Sequence, residues 1–204
     1  MTGALEVLVE ELSAERALRT LLPRIVPDHP FEVRVFRGKP DLLKKLPGRL
    51  AGYAALPVEF APLVVVLVDR DGDVCTTLKE KIVQMADRAG IPARGPGRRL
   101  LARIAVEELE AWFFGDIPAV RAAFPKVPAG VGTRAGLRDP DAIGGGTAEA
   151  LERILQTHGY HSAGLSKTRA AETIAPHMNV DDNSSRSFQV FRDGIRTLTA
   201  TGGI

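Results

Sequence analysis

The chain has 204 residues, 45% of them hydrophobic and 25% charged, with 27 Lys and Arg against 25 Asp and Glu for a net charge of +2. That balance excludes a disordered chain and a surface given over to nucleic-acid binding, while leaving room for local basic patches. The length suits one domain, or one domain with an appendage, and the single cysteine excludes an internal disulfide.

No apolar run approaches the ~20 residues of a membrane helix. The first eleven residues include Glu6, Glu10 and Glu11, with no basic start before an apolar stretch, so no signal peptide is read there and a cytoplasmic protein is expected.

Ala4 to Val9 reads as a strand that delivers Glu10 and Glu11 at its end. From Ser13, apolar residues at Ala17, Leu18, Leu21, Leu22 and Ile25 repeat at helical spacing, with Glu15 in the first turn. An acid in a first turn suits the helix dipole. A strand-end carboxylate next to a second acid, as at Glu10, is not something folding requires. Phe31 to Phe36 alternates as an edge strand would. After Gly38-Lys39-Pro40, Asp41 is placed to cap a helix through Leu42, Leu46 and Leu50. Lys39, Lys44, Lys45 and Arg49 then read as its solvated basic face.

Leu63 to Val68 is a short, wholly apolar, valine-rich run, the signature of a strand buried on both faces. Asp69, Asp71 and Asp73 follow where that strand leaves the sheet, and open α/β sheets bind ligands at the carboxyl ends of their strands. Three carboxylates so close repel one another unless a cation neutralises them, and hard oxygen donors point to Mg²⁺, Mn²⁺ or Ca²⁺ rather than zinc. An EF-hand is excluded by Val74 at the position that needs glycine and by the strand in front. Cys75 reads as a small buried residue opening a helix that runs from Thr77 to Ala89 and ends at Gly90.

Leu100 to Val106 is a further strand candidate that runs into Glu107-Glu108-Leu109-Glu110. If that segment is helical, Glu107 and Glu110 share a face. A helix N-terminus that favours negative charge explains one such cluster; it explains three strand-end clusters in one chain poorly. From Asp116, prolines and glycines break the pattern. Helices are expected after Gly144-Gly145-Gly146 with Thr147 as cap, around Thr168 to Ala175, and after a capping stretch at Asn183 to Phe188. His158, His161 and His177 form no compact metal pattern.

The three clusters, Glu10 with Glu15, Asp69-x-Asp71, and Glu107 with Glu110, resemble the Toprim fold of topoisomerases, primases and overcoming-lysogenization-defect (OLD) nucleases. OLD-type proteins have glycine where Glu11 stands. More closely, the chain resembles a Toprim-like prokaryotic family often encoded beside ATPases in defence loci. The residues that carry this are Glu10-Glu11-x-Ser13-x-Glu15, Asp69-Arg70-Asp71, Glu108-Leu109-Glu110-Ala111-Trp112 and Asn183-x-Ser185-x-Ser187-Phe188.

The resemblance implies an α/β Toprim-like core over residues 1–116, with a mostly parallel sheet and helices on both faces. A helical C-terminal extension over 117–204 would pack on it. It also implies divalent-metal-dependent cleavage of DNA or RNA by two Mg²⁺ or Mn²⁺ ions about 3.5–4 Å apart that polarise the phosphate and activate a water, in phage defence and with a possible ATPase partner. Glu10, Asp69, Asp71, Asp73, Glu107 and Glu110 would supply metal ligands. Glu10 would alternatively act as general base or acid, Glu15, the later acid of the first motif, would be a further catalytic residue, and Lys167 would stabilise charge on the phosphate. Two other readings stay open. One is a haloacid-dehalogenase-type phosphatase with Asp69 as nucleophile, suggested by Asp69-Arg70-Asp71-Gly72. The other is a non-catalytic Toprim module that binds an ATPase partner or nucleic acid.

Overall fold

The computed structural model describes residues 3–201. Strands and helices alternate through the first half: β1 (Leu5–Val9), α1 (Leu12–Ile25), β2 (Phe31–Val35), α2 (Lys39–Ala54), β3 (Leu63–Asp69), α3 (Cys75–Arg88) and β4 (Leu100–Ala105). The four strands are parallel, in the order β2-β1-β3-β4. Every residue of β1 and β3 is buried, as expected of central strands covered on both faces, whereas β2 lies at an edge and exposes Arg34 and Val35.

Side chains alternate across the sheet and so feed two separate cores. Val7, Val9, Val65 and Leu67 meet Leu18 and Leu22 of α1 on one face, while Leu8, Val64, Val66 and Val68 meet Leu42, Leu46, Leu78 and Ile82 of α2 and α3 on the other. Right-handed crossovers produce this division. The connection from β1 to β2 runs in one direction along the sheet, and those from β2 to β3 and from β3 to β4 run in the other. Strand order therefore reverses between β1 and β3.

The remaining helices are α4 (Glu110–Phe114), α5 (Ile117–Ala123), α6 (Thr147–Thr157), α7 (Lys167–Ile174) and α8 (Arg186–Thr201). They join the core on the α1 face. Trp112 anchors the join: its ring centroid lies 5.2 Å from that of Phe188 and 4.8 Å from that of Phe191, and its Nε1 donates to Ser187 Oγ at 3.0 Å. Among the described residues, no helix is long and apolar enough to cross a membrane.

Several local expectations are corrected. Helix α2 opens at Lys39, with Pro40 in its first turn, so Asp41 lies inside the helix and not at its cap. Glu107 and Glu110 do not share a helical face: Glu107 has φ +63° and the helix starts only at Glu110. The cap of α6 is Gly146, at φ +88°, and the Thr147 hydroxyl instead donates to Glu108 Oε2 at 3.1 Å.

Candidate functional site

The ends of β1 and β3 are neighbours at the point where strand order reverses, which in open α/β sheets is where a crevice for ligands opens. Register brings Val9 opposite Leu67, so the residues that follow each strand meet. Glu10 is held there by the main chain. Gly38 N–H donates to its carbonyl at 2.9 Å, and its carboxylate accepts the Asp69 amide at 2.5 Å.

Asp69 is buried at the last position of β3, and among the described residues no donor reaches its carboxylate. Burial, and then the nearby carboxylates of Glu10, Glu11 and Glu110, push its carboxyl well above the usual aspartate range against the pull of Lys167. Glu10 is likewise raised, first by burial, with Asp71 adding to the effect and the Asp69 amide and Lys39 opposing it.

Glu110 is 0% exposed, and neither of its carboxylate oxygens has a hydrogen-bond partner. Its carboxyl is pushed up to about 7, by desolvation foremost, with Lys167 opposing. The Lys167 ammonium lies 3.8 Å from Glu110 and 2.7 Å from Glu108. Glu108 also accepts from the Ala148 amide at 2.9 Å, which ties this corner to α6. Desolvation raises the Glu108 carboxyl most, yet Lys167, the Ala148 amide and the Thr147 hydroxyl together hold it below the ordinary glutamate range. Facing Glu108, Glu110 and Glu11, the Lys167 ammonium is raised despite its own desolvation.

The other candidate residues go elsewhere. Asp71, at φ +46°, and Gly72, at φ +81°, fold the loop after β3 back over α2. Asp71 and Asp73 then both meet Lys39, at 3.1 and 2.8 Å. Glu107 pairs with Arg70, whose amide donates to Ala105 O at 3.0 Å and Glu107 O at 3.2 Å. Glu15 is turned to Arg19 and, at 3.3 Å, Arg16. Asp69, Glu10 and Glu110, with Lys167 beside them, are thus the members of the expected set that the fold brings together.

Three residues of this neighbourhood escape sequence reasoning. Lys39 reads as a solvated helix lysine but is 9% exposed. Glu108 is the middle member of a Glu-Glu-x-Glu run, and only the turn at Glu107 swings it to α6. Glu11 lies in the field of Asp69 and Glu110.

A hard divalent ion needs oxygen donors with unspent lone pairs and a local excess of negative charge. Both are present: the Glu110 oxygens are unpartnered, and the carboxylates of Glu10, Glu11 and Glu110 together raise that of Asp69, beside a single lysine that Glu108 also claims. In donor chemistry the residues fit Mg²⁺ or Mn²⁺. Among the described residues no three His, Cys, Asp or Glu side chains are gathered at ligand distance, so the acids are neighbours and not a preformed cage.

No curated protein matches the chain. One solved structure to which it is similar is the C-terminal region of the Xanthomonas campestris pv. campestris OLD protein. The identity is 16% over 97% of this chain and 98% of that chain, with a TM-score of 0.47. A family model described as a domain of unknown function, DUF4276, matches residues 9–196. That match runs from the last residue of β1 through most of α8, acids and helical segment alike, and the chain belongs to the DUF4276 family.

Proposed function

We propose that this chain is a divalent-metal-dependent nuclease that hydrolyses phosphodiester bonds of DNA or RNA with Mg²⁺ or Mn²⁺. The observation that carries the reading is the buried Glu110 carboxylate, neither oxygen of it hydrogen-bonded, in the field of the buried Asp69 where strand order reverses, with Glu10 on one side and Lys167 on the other. The Toprim-like motifs at Glu10, Asp69-x-Asp71 and Glu110 lead to the same chemistry, and they extend the proposal to an ATPase partner in a defence setting.

A divalent ion bound there supplies Lewis acidity and a lowered pKa for an attacking water. Asp69, Glu10 and Glu110 are the residues that would hold it. Glu10, fixed by the Asp69 amide, is also placed to take a proton from the water at the strand ends. Lys167 presents a permanent positive charge on the same side, where charge builds on the phosphate oxygens. Asp71, Asp73 and Glu107 stand at the margin, each already engaged by a cation of the chain. Glu15 is paired with Arg16 and Arg19 of its own helix and has no part in the proposed chemistry.

The test is cleavage of supercoiled DNA, linear DNA and RNA in Mn²⁺ or Mg²⁺ and in chelator. We expect cleavage that chelator abolishes and that Asp69→Asn and Glu110→Gln each reduce by more than about a hundredfold. Hydrolysis of an aryl phosphate, with beryllium fluoride trapped on Asp69, would favour the phosphatase instead. No turnover of either substrate, even with a neighbouring ATPase added, would favour the binding module.

A further inference from the structure

The aspartates after β3 do not act as one group. Asp69 faces Glu10, Glu11, Glu110 and Lys167. Asp71 and Asp73, carried away by the left-handed turn at Asp71-Gly72, face Lys39. The Lys39 ammonium donates to Asp73 Oδ2 at 2.8 Å and to the Arg70 carbonyl at 3.1 Å, and it forms an ion pair with Asp71 Oδ2 at 3.1 Å. It sits at the first residue of α2, buried under the loop, and its field reaches Glu10. It therefore bridges two carboxylates at the strand ends, as a metal ion would, but covalently tethered and beyond the reach of a chelator.

We propose that Lys39 takes the place of a second cation: it neutralises Asp71 and Asp73, and the chain binds one divalent ion, at Asp69, Glu10 and Glu110, and not two. This rests on the metal-site reading above and departs from the two ions that the Toprim resemblance implies. Two-ion nucleases place their ions about 3.5–4 Å apart, each held by its own acids and sharing one. Here the acids of the second flank are both paired with one ammonium. In the phosphodiester reaction Lys39 is a positioning residue: it keeps Asp71 and Asp73 from competing for the ion and holds the loop after β3 in place.

The test is the number of Mn²⁺ ions bound per chain at saturation. It is measured by calorimetry and by the paramagnetic resonance of free Mn²⁺, on purified protein without nucleic acid. Wild type should bind one ion, and Lys39→Arg, which keeps the charge, should also bind one. Lys39→Met keeps the stem and removes the charge; it should bind two, and adding Asp71→Asn should abolish the second. Two ions on wild type overturn the inference while leaving the metal site standing. One ion on a folded Lys39→Met overturns it as well. No ion on wild type removes the metal-site reading itself. Should Lys39→Met fail to fold, the counts on wild type and Lys39→Arg still decide.

Discussion

Glu110 is the residue whose surroundings make the sharpest demand. Its carboxyl is held at about 7 in the folded chain, against 4.5 as the ordinary value. The folded state thus binds more protons than the unfolded one between those limits, so stability falls as pH rises from about 4.5 through 7. Without metal, wild type should melt higher at pH 5 than at pH 8, and Asp69, raised in the same sense, adds to the trend. Glu110→Gln removes a contribution of at most roughly 3 kcal/mol. It should therefore flatten the pH dependence and melt above wild type at pH 8 in chelator, a comparison for scanning calorimetry. A Glu110→Gln protein that melts well below wild type at pH 8 would mean that the carboxylate is satisfied in the fold. Lys167→Met strips the cation from Glu108 and Glu110 and should cost about 1–3 kcal/mol in chelator, read from urea unfolding. At this scale Glu10 and Asp69 were legible in the sequence, because acids directly after buried strands have no folding role. Lys39 was not: a lysine just before Pro40 looks like any basic helix residue until α2 is seen to begin with it. Glu108 was not legible either, since its partners Thr147 and Lys167 lie 39 and 59 residues away and no local pattern announces them.

The short helix α4 carries Glu110, and its position depends on the segment that leads into α8. Gly115, at its C-terminal end, packs against Asn183 so closely that a Cβ there would overlap Asn183 Oδ1 and come within 2.7 Å of the Ser185 amide nitrogen. Asn183 is buried, donating to Trp112 O at 2.9 Å and accepting from the Ser185 amide at 2.9 Å. Gly115→Ala should therefore cost about 1–3 kcal/mol by overpacking, and Asn183→Ala about 1–3 kcal/mol by leaving buried groups unpaired. Urea titrations would measure both, and either variant should also weaken Mn²⁺ binding, because α4 shifts with its clamp. The strands were legible to within about a residue, since their apolar runs are bounded by proline, glycine or acids. The passage from β4 to α4 was not. An acid-rich run can continue as a helix or turn sharply, and the positive φ at Glu107, matched to Arg70, is decided by tertiary contact.

At the level of the whole molecule, the parallel sheet and its two helical layers follow from strand–helix alternation and right-handed crossovers. The C-terminal helices belong to the same core as α1: Phe188, Phe191, Ile195 and Leu198 are fully buried together with Leu18, Leu22 and Trp112. Residues 1–116 expressed alone would expose that face, and they should show no cooperative melt. Their place on the α1 side of the sheet was hidden from sequence reasoning, because their periodicity shows an apolar face without naming its partner. A divalent ion held by the acids at the strand reversal would stabilise the intact fold. An ion bound only by the folded state at about 100 times its dissociation constant adds roughly 2.7 kcal/mol. For a chain of this length that is a rise of very roughly 5–10 °C in melting temperature. The decisive measurement is the melting of wild type and Asp69→Asn, each in chelator and in Mn²⁺. Asp69→Asn should melt no lower than wild type in chelator, and only wild type should gain from Mn²⁺. Equal gains in both proteins, or an Asp69→Asn that melts lower by the same amount with and without the ion, would contradict metal binding at Asp69.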